Sequence, residues 1–282
     1  MPNRRRVFSL PLGDREAVLV RSRLRPGRYE LRVDGVPQSI VSTKDPTTLA
    51  YGYVRHIARA IDAAAPAGSR LFTVHLGAGA LTLARYVEAT RTDSRQLVVE
   101  SEPALYAAVL AALPLPAQAD VRAVFGDARD VADSAEPSDW TDAQFTVVDL
   151  WDAAVIRHRV ASREFYARVA ARSVPGGVVA VNLLDGHPFD YSRRQAATLR
   201  SLFAHVAVVL DFDPDDEAGP LGNVLVFASD RPLRVAEDPA LLGAPAPQLF
   251  AGDELTAWIG SARIMTDADG TDSPDPDHPR WG

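Results

Sequence analysis

The stretch FTVVDLWD, residues 145 to 152, runs from an apolar segment straight into two carboxylates, Asp149 and Asp152, three positions apart. Such a pair can hold an ammonium and accept a proton from it, which is the work of a general base acting on an amine. Two further acids occupy equivalent places, Glu100 at the end of LVVESEP and Asp127 at the end of VRAVFGDA. Glu100 follows the Gly77-x-Gly79 turn by a little over twenty residues, the spacing at which an acid accepts the hydroxyls of a ribose. A carboxylate at Asp127 suits an exocyclic amine such as that of adenine. The glycines themselves sit in HLGAGALTLARY, where two residues without side chains let backbone approach a ligand at the start of a helix.

These groups need a scaffold that brings strand ends together. LFTVHLG, RQLVVES, VRAVFGD, FTVVDLW and GGVVAVNLL are apolar at nearly every position, the pattern of strands buried on both faces of a parallel sheet. Helical stretches ALTLARYVEATR, PALYAAVLAAL and SREFYARVAARS lie between them, and FDYSRRQAATLRSLF follows the fifth strand. The last two strands, HVAVVLDF and NVLVFAS, are joined by a link too short for a crossover and must pair antiparallel. The expected fold is therefore α/β, a class I methyltransferase-like, Rossmann-type, seven-stranded sheet, with the acids at its carboxyl edge. A dinucleotide dehydrogenase fits the same glycines less well, because it wants a third glycine where Thr82 stands and has no use for Asp127.

Residues 1–45 differ: EAVLVRSRL, RYELRVDG and QSIVST alternate in polarity around Pro26-Gly27 and Asp34-Gly35. They predict a small N-terminal antiparallel β-sheet of three strands, preceded by Arg4 to Arg6 as a solvated arm. Three short strands would leave edges and an apolar face open, so a homodimer through this sheet is expected. Residues 46–262 form the ligand-binding α/β domain, opened by a helix from Pro46, and residues 263–282, rich in Asp and Pro, read as a disordered tail.

The 282 residues are 47% hydrophobic, enough for a substantial core. The absence of cysteine excludes disulfides, thiolate metal sites and cysteine nucleophiles. A formal charge of −7 disfavours a nucleic-acid backbone as partner. No segment offers the ~18 consecutive apolar residues of a membrane span. A soluble, cytoplasmic protein without a metal, acting on a small molecule, is expected.

With the strands placed, the chain resembles the spermidine synthase (polyamine aminopropyltransferase) family over roughly residues 28 to 230. The likeness lies in VDGVPQS, the glycine turn ending in Thr82-Leu83, VVESEP, FGDA, VVDLWD and the terminal IMTDADGTDSPDP. It implies decarboxylated S-adenosylmethionine, or S-adenosylmethionine, as co-substrate and a small amine as acceptor. Gln38 and Glu100 would contact the nucleoside along with Gly77 and Gly79, and Asp127 with Ala128 the adenine. Asp149 would be the general base, Asp152 would hold the amine, and Tyr51 and Trp151 would border it.

The departures are informative. Family synthases carry an acid in the glycine turn, where this chain has Gly79, and an acid two residues after the tyrosine, where it has Tyr53. After the catalytic Asp they carry a Ser-rich gate, here replaced by LWDAAVIRHRVAS with Arg157, His158 and Arg159. Both acid losses remove negative charge from a cation site. They keep two other readings in play, a methyltransferase-like enzyme using intact S-adenosylmethionine and a non-catalytic binding or assembly relative. The basic trio reads as a solvated loop face, or more sharply as a device that repels cations or binds an acidic acceptor. His75, inside a strand, reads as a packed core histidine, and Asp185 and His187 as turn residues that could also line the pocket. Asp211, Asp213, Asp215, Asp216 and Glu217 read as a solubilising hairpin tip. Tyr51 and Tyr53, two apart on one helix, should face different sides, leaving one in the core.

Overall fold

The computed structural model describes residues 4–134, 139–152, 154–211 and 221–276. Four strands come first, β1 (Arg4–Leu12), β2 (Arg15–Ser22), β3 (Arg28–Val33) and β4 (Val36–Ser42), joined as an antiparallel sheet in chain order. The arginine run is thus the start of a fourth strand, with Arg5 opposite Arg21, and not a free arm. Helix α1 (Gly52–Ala64) begins six residues after Pro46, because 45–51 is spent on a turn in which Asp45 accepts from Thr47 and Thr48.

The large sheet then alternates with helices: β5 (Thr73–Leu76), α2 (Thr82–Thr90), β6 (Gln96–Glu100), α3 (Pro103–Ala112), β7 (Val121–Phe125), α4 (Ala128–Asp133), β8 (Ala143–Val148), α5 (Arg163–Ala171), β9 (Ser173–Asp185) and α6 (Asp190–Arg200). It closes with β10 (His205–Leu210), β11 (Gly222–Ser229), the single turn α7 (Arg234–Glu237), β12 (Gln248–Ala251) and α8 (Gly252–Ile259). Strand order is β12-β10-β11-β9-β8-β5-β6-β7. Strands β7, β6, β5, β8 and β9 run parallel, and β11, β10 and β12 are antiparallel to their neighbours. The expected α/β fold is the fold found, with an eighth strand, β12, added at one edge.

Alternation sorts the core into two layers. Val206, Val208 and Leu210 of β10 face the layer under α5, α6 and α8, while Ala207 and Val209 face α1. Both faces are covered by helices, which is why these strands are apolar at nearly every position. The chain leaves β5 for β6 and β7 on one side and returns to β8 on the other. A crevice therefore opens at the carboxyl ends of β5, β6 and β8.

The small sheet is seated over that crevice. Leu19, Leu31 and Val41 pack on Leu105, Val109 and Leu113 at α3 and on Ala80 of the glycine turn. The apolar face expected to stay open is thus filled within the chain. Among the described residues no helix is long and apolar enough to cross a membrane, and no cluster of three acids or histidines could hold a metal.

The terminal segment is also docked rather than loose through residue 276. Met265 is fully buried, its carbonyl taking the Arg163 N–H at 2.8 Å and its N–H given to Thr198 Oγ1 at 2.8 Å. Arg129 clasps Asp267 with two bonds of 2.8 and 2.7 Å, and Ser273 bonds the backbone of Ile156 in both directions at 2.9 Å. The Arg129 guanidinium holds the Asp267 carboxyl down at about 2. A lowered acid stabilises the fold above its ordinary pKa near 3.8 and ceases to do so as pH falls through about 2. Asp267→Asn should therefore speed hydrogen exchange over residues 262–276 at pH 7 and cost about 1 kcal/mol or less, the pair being half-exposed. The difference from the parent should vanish below about pH 2, and an equal difference at both pH values would show that the clasp is not ionic.

Candidate active site

The crevice is a cavity of about 800 Å³, within the range of pockets for drug-sized ligands. Gln38, Gly77, Gly79, Glu100, Asp127, Ala128, Asp149, Trp151, Asp152, Tyr51 and Tyr53 all line it, so the fold gathers the residues that the resemblance implies for the site. Asp185 and His187 are not among its walls. Asp185 instead accepts the N–H groups of Gly186 and Ser192 at 2.9 and 2.7 Å, fixing the turn after β9. Asp211 pairs with His56 at 2.6 Å, and Asp213, Asp215, Asp216 and Glu217 lie outside the described residues.

Strand ends are tied to each other before any side chain acts. The N–H of Gly77 reaches Val99, that of Gly126 reaches Glu100 and that of Asp149 reaches Leu76, at 2.9, 2.9 and 3.0 Å. Glu100 adds a second tie, Oε2 accepting the Ala78 N–H at 3.0 Å and Oε1 the Glu102 N–H at 2.9 Å. Oε1 also accepts the Ser101 hydroxyl at 3.4 Å, and Oε2 keeps a lone pair for a further donor. Gly77 and Gly79 have φ of +91° and +49°. A Cβ at Gly77 would strike the Asp149 carbonyl oxygen, and one at Gly79 the Oγ of Ser39, which also accepts the Ala80 N–H at 3.1 Å. The missing side chains thus make room for protein atoms on both sides of the turn while its edge lines the cavity.

Asp127 is the N-cap of α4, its Oδ1 accepting from Arg129 and Asp130 at 2.8 and 3.3 Å. Its Oδ2 meets Arg159 at 3.1 Å. The basic trio is therefore not a bare solvated face. Arg157 lies between Asp152 and Asp272 at 2.8 and 2.9 Å, His158 meets Asp272, and Arg159 spans Asp127 and Asp130. Asp152 is gripped from the other side by Arg15 of β2 at 3.4 Å, which also reaches Glu102 at 3.2 Å.

Asp149 is treated differently. Its Oδ1 accepts Trp151 Nε1 at 2.6 Å and Asn182 Nδ2 at 2.8 Å, and Asn223 Nδ2 supports the Asn182 oxygen at 3.0 Å. No cation touches it among the described residues. One side of the carboxylate stays open to the cavity, yet the walls strip most of its water, so desolvation pushes its pKa up against the opposing pull of Asn182 and Trp151. Tyr53 is pushed well above the ordinary phenol value by burial first and by the Asp149 charge second. Its ring stacks on Tyr51 at 5.9 Å and 19°. The expectation that only one tyrosine faces the pocket fails because Tyr51 is the extended N-cap residue, outside the helical spacing. His75 is a core histidine bonded to Gln96 at 2.9 Å, with burial driving its pKa down to about 4.

Sequence reasoning missed Asn182, Asn223, Arg15 and Ser39. Asn182 was detectable as the one amide inside GGVVAVNLL. Arg15 and Ser39 carried no local signal, since their role depends on where the small sheet docks.

Strand order, crevice and site together define a class I methyltransferase-like α/β domain carrying a small sheet over its carboxyl edge. The chain has the fold of the spermidine synthases. It is similar to a "probable spermidine synthase" from Corynebacterium glutamicum ATCC 13032 at 24% identity and TM-score 0.80, over 92% of this chain and 96% of that one. It is also similar to a spermidine synthase in complex with the transition-state analogue AdoDATO, at 13% identity and TM-score 0.58, over 94% and 82%. Human methyltransferase-like protein 13 in complex with SAH follows at 14% and TM-score 0.51, over 77% and 92%. No family model and no curated protein matches the chain.

The Asp149 carboxyl, followed by carbon NMR on labelled protein, should titrate above the ordinary carboxylate range. Trp151→Phe removes a donor to the charged form and should move that titration to still higher pH. An unshifted Asp149 in the parent protein would contradict its desolvated placement.

Proposed function

We propose that the chain is a spermidine synthase-like aminopropyltransferase that moves an aminopropyl group from decarboxylated S-adenosylmethionine to an amine. The observation that carries this reading is Asp149, a carboxylate with a raised pKa, open on one side to the cavity and held by neutral donors alone. The ordered motifs of the sequence and the shared fold support it.

The residues present fit a nucleoside. Glu100 offers a spare lone pair beside a side-chain-free backbone turn, and Asp127 presents Oδ2 at the next strand end. The co-substrate supplies a sulfonium, whose sulfur takes the electron pair of the broken S–C bond and leaves as a neutral thioether. The protein's part is to hold the acceptor nitrogen in line and to remove its proton. As the new N–C bond forms, the nitrogen's excess proton passes to Asp149. Trp151 and Asn182 fix the carboxylate's plane, and Asn223 holds Asn182. The raised pKa makes Asp149 a stronger base than an ordinary carboxylate, which favours its taking that proton.

A second reading, methyl transfer from intact S-adenosylmethionine, draws on Gly79, where no acid is present to select an amine-ended co-substrate. Comparing the affinities of the two co-substrates separates them.

Asp149→Asn keeps shape and the bonds from Trp151 and Asn182 but cannot take a proton. Aminopropyl transfer should fall by roughly 10²–10⁴-fold while methylthioadenosine affinity stays within about twofold. A lower melting temperature with turnover intact would make Asp149 a structural group and overturn the assignment.

A further inference from the structure

The acids of the cavity are unequal. Asp152 is ion-paired to Arg15 and Arg157, Glu102 to Arg15, and Asp127 to Arg159. Glu100 lies at the glycine turn, with Oε2 on the Ala78 N–H and Oε1 on the Glu102 N–H, and belongs to the nucleoside end of the cavity. Among the described residues Asp149 alone lines the cavity as a carboxylate held only by neutral groups, and Tyr51, Tyr53, Trp151, Leu150 and Leu184 line the same cavity.

We propose that the acceptor is a monoamine on an aromatic or alkyl body, and that α,ω-diamines are disfavoured. This rests on the aminopropyltransferase reading. One nitrogen meets one carboxylate, Asp149. The second ammonium of a diamine would need Asp152, but there it would exchange an existing ion pair for a new one, with little net gain. It would also lie beside two guanidinium groups, a like-charge contact that works against it. An apolar body instead removes the stacked tyrosine faces from water. The transfer balances as for any amine: N–C forms, S–C breaks with its electron pair going to sulfur, and the proton goes to Asp149.

The test is calorimetry in sequence. Methylthioadenosine is titrated first, and then phenethylamine or 1,4-diaminobutane is titrated into the saturated protein at pH 8. Phenethylamine should bind about tenfold or more tightly than the diamine. Arg157→Gln frees one side of Asp152 and should raise diamine affinity by about tenfold while leaving phenethylamine nearly unchanged. Arg15→Gln frees the other side and repeats the test without touching the Arg157–Asp272 contact. Tighter diamine binding by the parent, or no diamine gain in either variant, overturns the inference and leaves the aminopropyltransferase reading standing. Failure of methylthioadenosine to bind removes the nucleoside pocket, and both proposals fall with it.

Discussion

A carboxylate set at the end of a fully buried strand is the constraint around which the rest is arranged. Asp149 loses most of its hydration there, a loss that opposes the charged form unless hydrogen bonds replace it. Trp151 and Asn182 supply two, and Asn223 keeps the amide of Asn182 turned the right way. Because all three are neutral, the carboxylate keeps its affinity for a proton instead of having it quenched by a guanidinium. The same residue's carbonyl occupies the space a side chain at Gly77 would need, so Asp149 and the glycine turn are fitted to each other through backbone. From that turn the links run to Glu100, then to Glu102, Arg15 and Asp152.

The small sheet completes the crevice rather than standing apart. The face that packs on α3 also contributes Ser39 to the glycine turn and Arg15 to the mouth. The terminal segment closes the opposite rim, with Asp272 on Arg157 and Asp267 on Arg129. Arg157 thus serves Asp152 of the crevice and Asp272 of the terminal segment, and Arg159 serves Asp127 and Asp130 at the start of α4.

Most of the large sheet was legible because burial on both faces writes itself as unbroken apolar runs, and the acids were legible because they end those runs. What stayed hidden depended on partners far away in sequence. Gln248–Ala251 is too short and too exposed to stand out, and it becomes a strand only through its register with β10. Arg4 to Arg6 read as a solvated arm until β2 pairs with them. The terminal segment has the composition of a disordered tail, yet its aspartates find Arg129, Arg157 and Arg194 on elements some 75 to 138 residues away in sequence. Helical spacing sets Tyr51 and Tyr53 on different sides only if both are helical, and the helix starts at Gly52, leaving Tyr51 as its extended N-cap residue.

The central claim is that Asp149 deprotonates an amine while the sulfonium carbon chain is transferred to it. Its most direct test is a product analysis, in which the protein is incubated with an amine and either decarboxylated or intact S-adenosylmethionine, and the nucleoside products are separated by chromatography. The account predicts methylthioadenosine and an aminopropylated amine in equal amounts from the decarboxylated compound. S-adenosylhomocysteine and a methylated amine from the intact compound, with no methylthioadenosine from the other, would contradict it.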